Sequence, residues 1–406
     1  MMGLSSEDHY KQGPVQIAMS EIVEEERKRC ARHPCKTLTT SLITNLPDDC
    51  LNLIFLGLKT SIDRSSFGLT CRQWLRIQNY NHESLWFHSP LSSDTLLEIG
   101  PENFSIILCK LLARFQYLKF LSLSGCPELT DVVTSQSQYF GSHIQVLYLD
   151  SCSKLSDIKL CLMLSWFPRL TTISLKNSRI TDKGLEILAQ SCSSLQNVNL
   201  SKCQLISDSG VKFVSQNCRQ LCSLCISDCR NIKGIGLHGC SQTLSYLEAE
   251  GCNLESEGIK AIVSGGGIEH MNLAGVREPF CYKGEGYELS KIGEGFAINL
   301  RVLNLQNCGS VVNNRTVTVI SKGCPSLQVC NLGFCYMVDL EGWQAIGLNC
   351  HNLEELDVTG FLGLKDLGLQ ALCDGCSKLT KLHIWDLNNI SFPAEKMFDS
   401  KRPNVI

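Results

Sequence analysis

No apolar run in this 406-residue chain approaches the roughly 18 residues that a bilayer-spanning helix needs, so no transmembrane helix is expected. A dominant charge sign is missing too. Lys and Arg number 37 against 40 Asp and Glu, for a net charge of −3. No basic field is available to hold nucleic acid or an anionic membrane, and neither partner is expected. The one dense charge run, EEERKR at 24–29, mixes both signs and reads as a solvated helix face. The opening residues MMGLSSEDHYKQG lack the apolar core of a secretory signal, so the expected location is cytoplasmic, nuclear or both. Catalytic signatures are absent as well. There is no G-x-S-x-G, no P-loop and no H-E-x-x-H, and the nine histidines are scattered without ligand spacing to carboxylates or thiols. No catalytic site, no metal and no cofactor are expected.

Cysteine is plentiful, with 24 residues. In a reducing compartment most of them are expected as free thiols. Their placement follows a repeat. LKFLSLSGC begins at Leu118, IQVLYLDSC at Ile144, LTTISLKNS at Leu170, LQNVNLSKC at Leu195, LCSLCISDC at Leu221 and LSYLEAEGC at Leu244. IEHMNLAGV at Ile268, LRVLNLQNC at Leu300, LQVCNLGFC at Leu327, LEELDVTGF at Leu353 and LTKLHIWDL at Leu379 complete eleven copies. The steps between them run from 23 to 32 residues, most often 26. Such a period with an L-x-x-L-x-L core marks leucine-rich repeats.

Alternation in the x-L-x-L-x core predicts a strand with its leucines facing one way. The second limb, SDSGVKFVSQNC in the copy at Leu195, has Val211, Phe213 or Val214, and Cys218 at helical intervals. Asp182, Asp208 and Asp366 suit helix starts, where a carboxylate can take orphan amide protons. One coil cannot bury its leucines alone, so coils must stack. The expected fold is α/β: a leucine-rich-repeat horseshoe solenoid, with parallel strands inside and helices outside. The slot of Cys203 also takes Ser178, Val276, Phe361 and Leu387, which a metal site would not accept, so cysteine there reads as a small hydrophobe. Cys192, Cys218, Cys324, Cys350 and Cys376 fill a second packing slot. GIGLHG at 234–239 matches a phosphate fingerprint but lies in an outer limb, with Gly234 read as the repeat glycine equivalent to Gly184, Gly210 and Gly368. This cysteine-bearing pattern resembles the repeats of F-box proteins over roughly 118–387.

A different signal precedes the repeats. In residues 43–87, Leu51, Ile54, Phe55 and Leu58 form an apolar helical stripe after Leu46-Pro47. Leu69, Cys71, Trp74 and Leu75 belong to a later helical stretch ending near Leu85-Trp86. One reading is a helical cap whose stripe packs on the first coil. The other is a unit of about 45 residues, too small to hide its large side chains and completed by a partner. The residue order also resembles the F-box, with Asp48, Asp63, Cys71-Arg72 and Leu85-Trp86 in place, although Leu69-Thr70 stands where the family more often has valine. That resemblance implies docking to the Skp-type adaptor of a cullin–RING ubiquitin ligase. The implied contact residues are Leu46, Pro47, Leu51, Ile54, Phe55, Leu58 and Trp74.

The expected organisation is a flexible tail at 1–40, the F-box at 41–88 and the solenoid with its C-terminal cap at 89–406. FSIILCKLLARF, within 89–117, reads as the outer helix of an incomplete first coil. Residues between the strand leucines should face the inner arc. In the first and middle coils they are mostly small and polar. Candidate substrate contacts are Tyr246, Glu248, His270, Asn272, Asn304, Glu355, Asp357, Lys381, His383 and Trp385. The 32-residue coil carries a surplus at 274–287 with Arg277, Phe280, Tyr282, Lys283 and Tyr287, a candidate binding loop. The leading expectation is a non-catalytic subunit of an SCF-type ubiquitin ligase that recruits a protein substrate. The alternatives are a plain binding scaffold, or a receptor gated by a small-molecule co-ligand on that loop.

Overall fold

The computed structural model describes residues 46–87, 94–126, 141–152, 154–276, 289–294, 297–360, 363–384 and 389–405. The tail at 1–40, the loop residues Arg277, Phe280, Tyr282, Lys283 and Tyr287, and Trp385, Phe361 and Leu387 lie outside them. The chain divides into two compact units, Met1–Leu155 with Lys159–Ile173, and Ser156–Ile158 with Ser174–Ile406.

Among the described residues the first unit begins with three short helices, α1 (Asp48–Gly57), α2 (Ser61–Leu69) and α3 (Arg72–Tyr80). Pro47 precedes α1, and Asp48 and Asp49 place negative charge against its positive end. Thr60 caps α2, its hydroxyl accepting the Asp63 amide at 3.0 Å. Ser84–Trp86, expected to end a helical stretch, instead forms strand β1. It pairs in parallel with β2 (Phe120–Ser122), and β2 pairs with β3 (Val146–Tyr148). Between β1 and β2 runs α4 (Asp94–Arg114), the outer helix anticipated for the first coil. Next come α5 (Asp157–Leu164) and β4 (Thr172–Ser174).

The second unit repeats one strand and one outer limb per coil. Its strands are β5 (Asn197–Asn199), β6 (Ser223–Cys225), β7 (Tyr246–Glu248), β8 (His270–Asn272), β9 (Val302–Asn304), β10 (Val329–Asn331), β11 (Glu355–Asp357) and β12 (Lys381–His383). All pair in parallel with sequence neighbours. Their central residues, Val198, Leu224, Leu247, Met271, Leu303, Cys330 and Leu356, lie in register and are buried. The outer limbs are α6 (Asp182–Ser191), α7 (Asp208–Asn217), α8 (Ser256–Ser264), α9 (Asn314–Gly323), α10 (Leu340–Asn349) and α11 (Asp366–Gly375). In two coils the described outer limb is a 3-10 turn, at Ile235–Leu237 and Leu289–Gly293. In α7 the helical interval selects Val211 and Val214 for the core. The last helix, α12 (Phe392–Lys401), covers the end, and Arg402 donates to the Cys373 and Ser377 carbonyls.

The aspartates at the helix starts act between coils. The caps are the preceding residues, with Thr181 Oγ1 accepting from Lys183 N and Ser207 Oγ from Ser209 N, each at 3.2 Å. The Asp182 carboxylate accepts from the Ser207 amide at 2.7 Å and its hydroxyl at 2.6 Å, one coil on. Asp208 accepts three amides, Lys233 at 2.8 Å and Gly234 and Gly236 at 2.9 Å. Asp366 likewise accepts Ser391 N at 2.7 Å. This stacking explains the glycine two residues after the aspartate. A Cβ on Gly210 would come within 2.4 Å of Asp182 Oδ1, and one on Gly236 within 2.3 Å of the Asp208 carbonyl. Gly236, not Gly234, is therefore the equivalent repeat glycine. Gly234 instead adopts a left-handed φ of 96° and lies against Gly258 of the following coil.

Every described cysteine is a free thiol. Most of those in the slot of Cys203 donate to a carbonyl at the end of the preceding strand, a role beyond filling space. Cys203 reaches Leu175 O at 3.0 Å, Cys229 reaches Leu200 O at 3.1 Å, and Cys252 reaches Ile226 O at 2.9 Å. Cys308 and Cys335 do the same to Leu273 and Leu305 at 3.3 and 3.1 Å. Burial pushes Cys252, Cys308 and Cys335 up to about 12. These thiols are protonated and unreactive at neutral pH.

Candidate interaction surfaces

Two surfaces present themselves, one in each unit. In the helical segment the core is Leu51, Phe55, Phe67 and Ile77, with Leu46, Leu58 and Trp74 packed against it. Phe67 stacks on Trp74 at 4.3 Å and meets Phe55 edge-on at 5.2 Å. Gln73 ties the entry down, donating to Leu46 O at 3.1 Å and Asp48 Oδ1 at 2.9 Å. The Gln73 bond, followed by Arg76, holds the Asp48 carboxyl below its usual value. The stripe of α1 thus packs on α2 and α3, not on the first coil.

Two of the expected adaptor contacts lie inside the segment. Leu51 and Phe55 are 0% and 5% exposed and serve the segment's own core. Pro47 and Ile54 are exposed, while Leu46, Leu58 and Trp74 are half-buried. Three residues outside the expected set dominate the apolar surface: Leu53 at 70%, Ile62 at 76% and Leu69 at 68% exposed. Leu56 adds to it, on the same face of α1 as Leu53. The segment meets the first coil elsewhere, through the end of α3. Arg114 Nε donates to Asn79 at 2.9 Å, Tyr80 meets Tyr117 at 4.3 Å, and His82 stacks on Phe115 at 4.3 Å. Burial, with Arg114 nearby, pushes His82 down to about 4, so it sits there neutral.

In the second unit the candidate substrate residues fall into two groups. Tyr246, Glu248, His270 and Asn272 form one. Glu248 Oε1 accepts from the Tyr246 hydroxyl at 2.5 Å and faces His270 Nε2 at 3.1 Å, and Oε2 accepts from Asn272 Nδ2 at 2.6 Å. The Tyr246 and His270 rings stack at 4.2 Å. Burial alone would raise the Glu248 carboxyl, but the three donors prevail and hold it below its usual value. Farther on, Glu355 pairs with Lys381 at 3.0 Å and lies 3.4 Å from His383. Asp357 accepts from Asn331 Nδ2 at 3.1 Å. Asn272, Asn304 and Asn331 each use Oδ1 to accept the amide two residues on, at 2.8–3.0 Å, which fixes their side chains. The sequence reading did not select Asn331.

The first coils differ from expectation. Trp86 stacks on Phe120 at 4.0 Å, and Tyr148 meets Phe120 edge-on at 5.0 Å, giving an aromatic cluster rather than a small polar face. Phe120 and Tyr148 were legible as inner residues, but Trp86 was hidden by the helical reading of its segment.

Among the described residues no three His, Cys, Asp or Glu side chains gather at metal-ligand geometry, and no helix is long and apolar enough to cross a membrane. The family model for the leucine-rich repeat matches residues 191–215. F-box/LRR-repeat protein 12 of Arabidopsis thaliana is 51% identical over 293 residues, covering 71% of this chain and 72% of that protein. The chain belongs to the F-box/LRR-repeat family. Solved structures resembling this F-box/LRR-repeat chain include the yeast Rad7–Elc1 complex, 16% identical, covering 97% of this chain and 96% of the other at a TM-score of 0.42. An internalin from Listeria monocytogenes is also 16% identical, covering 68% and 78% at a TM-score of 0.45.

Proposed function

We propose that this chain is the substrate-recruiting subunit of an SCF-type ubiquitin ligase and carries no catalytic site of its own. The helical segment docks to a Skp-type adaptor, and the strand face of the second unit holds a protein to be ubiquitylated. Holding a substrate beside a charged ubiquitin carrier raises the effective concentration of its lysines, so the contribution is proximity. The observation that carries this reading is the surface of α1 and α2. The segment has a complete small core, yet Leu53, Leu56, Ile62 and Leu69 remain exposed. A cap made only to cover the first coil would turn those residues inward, whereas a surface made for a partner keeps them out.

The adaptor contacts in this reading are Leu53, Ile54, Leu56, Ile62 and Leu69, with Pro47, Leu58 and Trp74 at the margin. Capture of a purified Skp-type adaptor by the full chain tests it. Leu53→Asp with Leu56→Asp should weaken binding by about 2 kcal/mol or more, as for interface hot spots, without lowering the melting temperature. Undiminished capture by that variant, or no capture by the wild-type chain, refutes the proposal and favours a plain scaffold.

A further inference from the structure

We infer that the Tyr246–His270 ring pair with Glu248 is an anchor for an arginine side chain of the recruited protein. The inference rests on the proposed substrate-recruiting role and adds the chemistry of the recognised residue. Three features point to a guanidinium. First, the stacked rings lie on the strand face and remain partly exposed, with the His270 side chain at 28%. An aromatic face attracts a planar cation, arginine above all. Second, Glu248 is fixed but not saturated. Its two oxygens have about four acceptor sites, and the three donors Tyr246, His270 and Asn272 leave one open on Oε2. A carboxylate accepts only, so the proton between Glu248 and His270 sits on Nε2 and that bond does not compete for the open site.

Third, the local charge suits a cation. Glu250, two residues on, is exposed. Lys176 acts on Cys225, the strand neighbour of Glu248, and not on Glu248 itself. The Glu355 carboxylate farther along already has Lys381 and is a poorer candidate. Because the network holds both ring and carboxylate before any ligand arrives, little side-chain ordering is needed on binding. An arginine lying flat on the outer face of one ring of the pair can direct an N–H at Glu248 Oε2 and another at Glu250.

The test uses the full chain and capped heptapeptide pools with random flanks and Arg, Lys, Gln or Leu fixed at the centre, read by fluorescence anisotropy. The Arg pool should bind about tenfold more tightly than the Leu pool, as expected for a cation–π contact combined with a charge-assisted hydrogen bond, and more tightly than the Lys pool. Glu248→Gln and Tyr246→Ala should abolish the preference. Tyr246→Phe keeps the ring, frees an acceptor site and should retain it. Each variant's melting curve separates lost recognition from lost folding. Equal binding of all four pools, equal binding of Arg and Lys, or an Arg preference that survives in folded Glu248→Gln overturns the inference. Adaptor capture by the same preparation is scored separately: if it succeeds while the Arg preference is absent, only the anchor fails. If capture fails, the ligase reading fails whatever the peptides do.

Discussion

Leu51, Phe55, Phe67 and Ile77 make up the buried core of the helical segment, whereas in the second unit each coil adds apolar strand residues, and most coils an inner thiol, to a core that continues from strand to strand. Both regions are rich in apolar residues. The segment carries large apolar side chains on the surface of α1 and α2, whereas the strand face of the coils carries amides and carboxylates such as Asn272, Asn331 and Glu248. The difference lies in repetition. A stacked coil has a neighbour on each side that removes its apolar edges from water. Among the described residues the three short helices meet a neighbour only at the end of α3, so a helix apolar on more than one face leaves one face out.

The largest effect that separates the two regions is expected at alkaline pH. Burial pushes the coil thiols of Cys308, Cys324, Cys335 and Cys350 from the ordinary 9.0 to about 12. In the unfolded chain they ionise near 9.0, so between pH 9 and about 12 the folded state binds more protons than the unfolded one. Their contribution is whole below pH 9 and is lost as pH rises, by up to about 1.4 kcal/mol per pH unit per thiol. The helical segment has no thiol in its core. Hydrogen exchange at pH 10 should therefore show the coils opening before the helices, and the opposite order would break the comparison.

Phe55→Ala attacks the other side. Removing one of four core residues should cost about 3–5 kcal/mol, enough to unfold so small a segment. Amide protection should vanish over 48–80 and persist over β5–β11. A uniform loss would mean that the segment and the coils unfold as one.

Gly236→Ala tests the stacking of coils directly. Its Cβ would meet the Asp208 carbonyl at 2.3 Å. A forced shift there should cost about 1–3 kcal/mol, as in overpacked cores, measured by urea denaturation. No loss would show that the close approach can relax.

The smallest effect is expected from filling a hole. Cys330 occupies the central strand position that is Leu303 and Leu356 in the flanking coils. A cavity of about 20 Å³ lies against it, lined also by Val317, Ile346 and Cys350. Cys330→Leu should raise stability by about 1 kcal/mol, as cavity-filling changes do. A fall in the melting temperature would show that the site cannot take the longer side chain.

Much of the fold was legible because the repeat states it eleven times. Strand alternation, the buried limb residues Val211 and Val214, the presence of an outer helix before Phe115 and the packing role of cysteine all follow from spacing. The inner positions Tyr246, Glu248, His270 and Asn272 follow from alternation as well, but their gathering on one carboxylate does not, because only strand register places β7 beside β8.

What the sequence determined by itself is the coil: its period, its strand, its limb and the residues that fill it, since those depend on positions within about 26 residues of each other. What tertiary structure decided lies between elements. The aspartates reach one coil onward because stacking brings the next chain turn within hydrogen-bond range. In α1 the run Leu51, Leu53, Ile54, Phe55 and Leu56 is apolar nearly all round, so periodicity cannot choose its inner face. Packing against α2 and α3 chooses Leu51 and Phe55, and that choice leaves Leu53 and Leu56 facing outward.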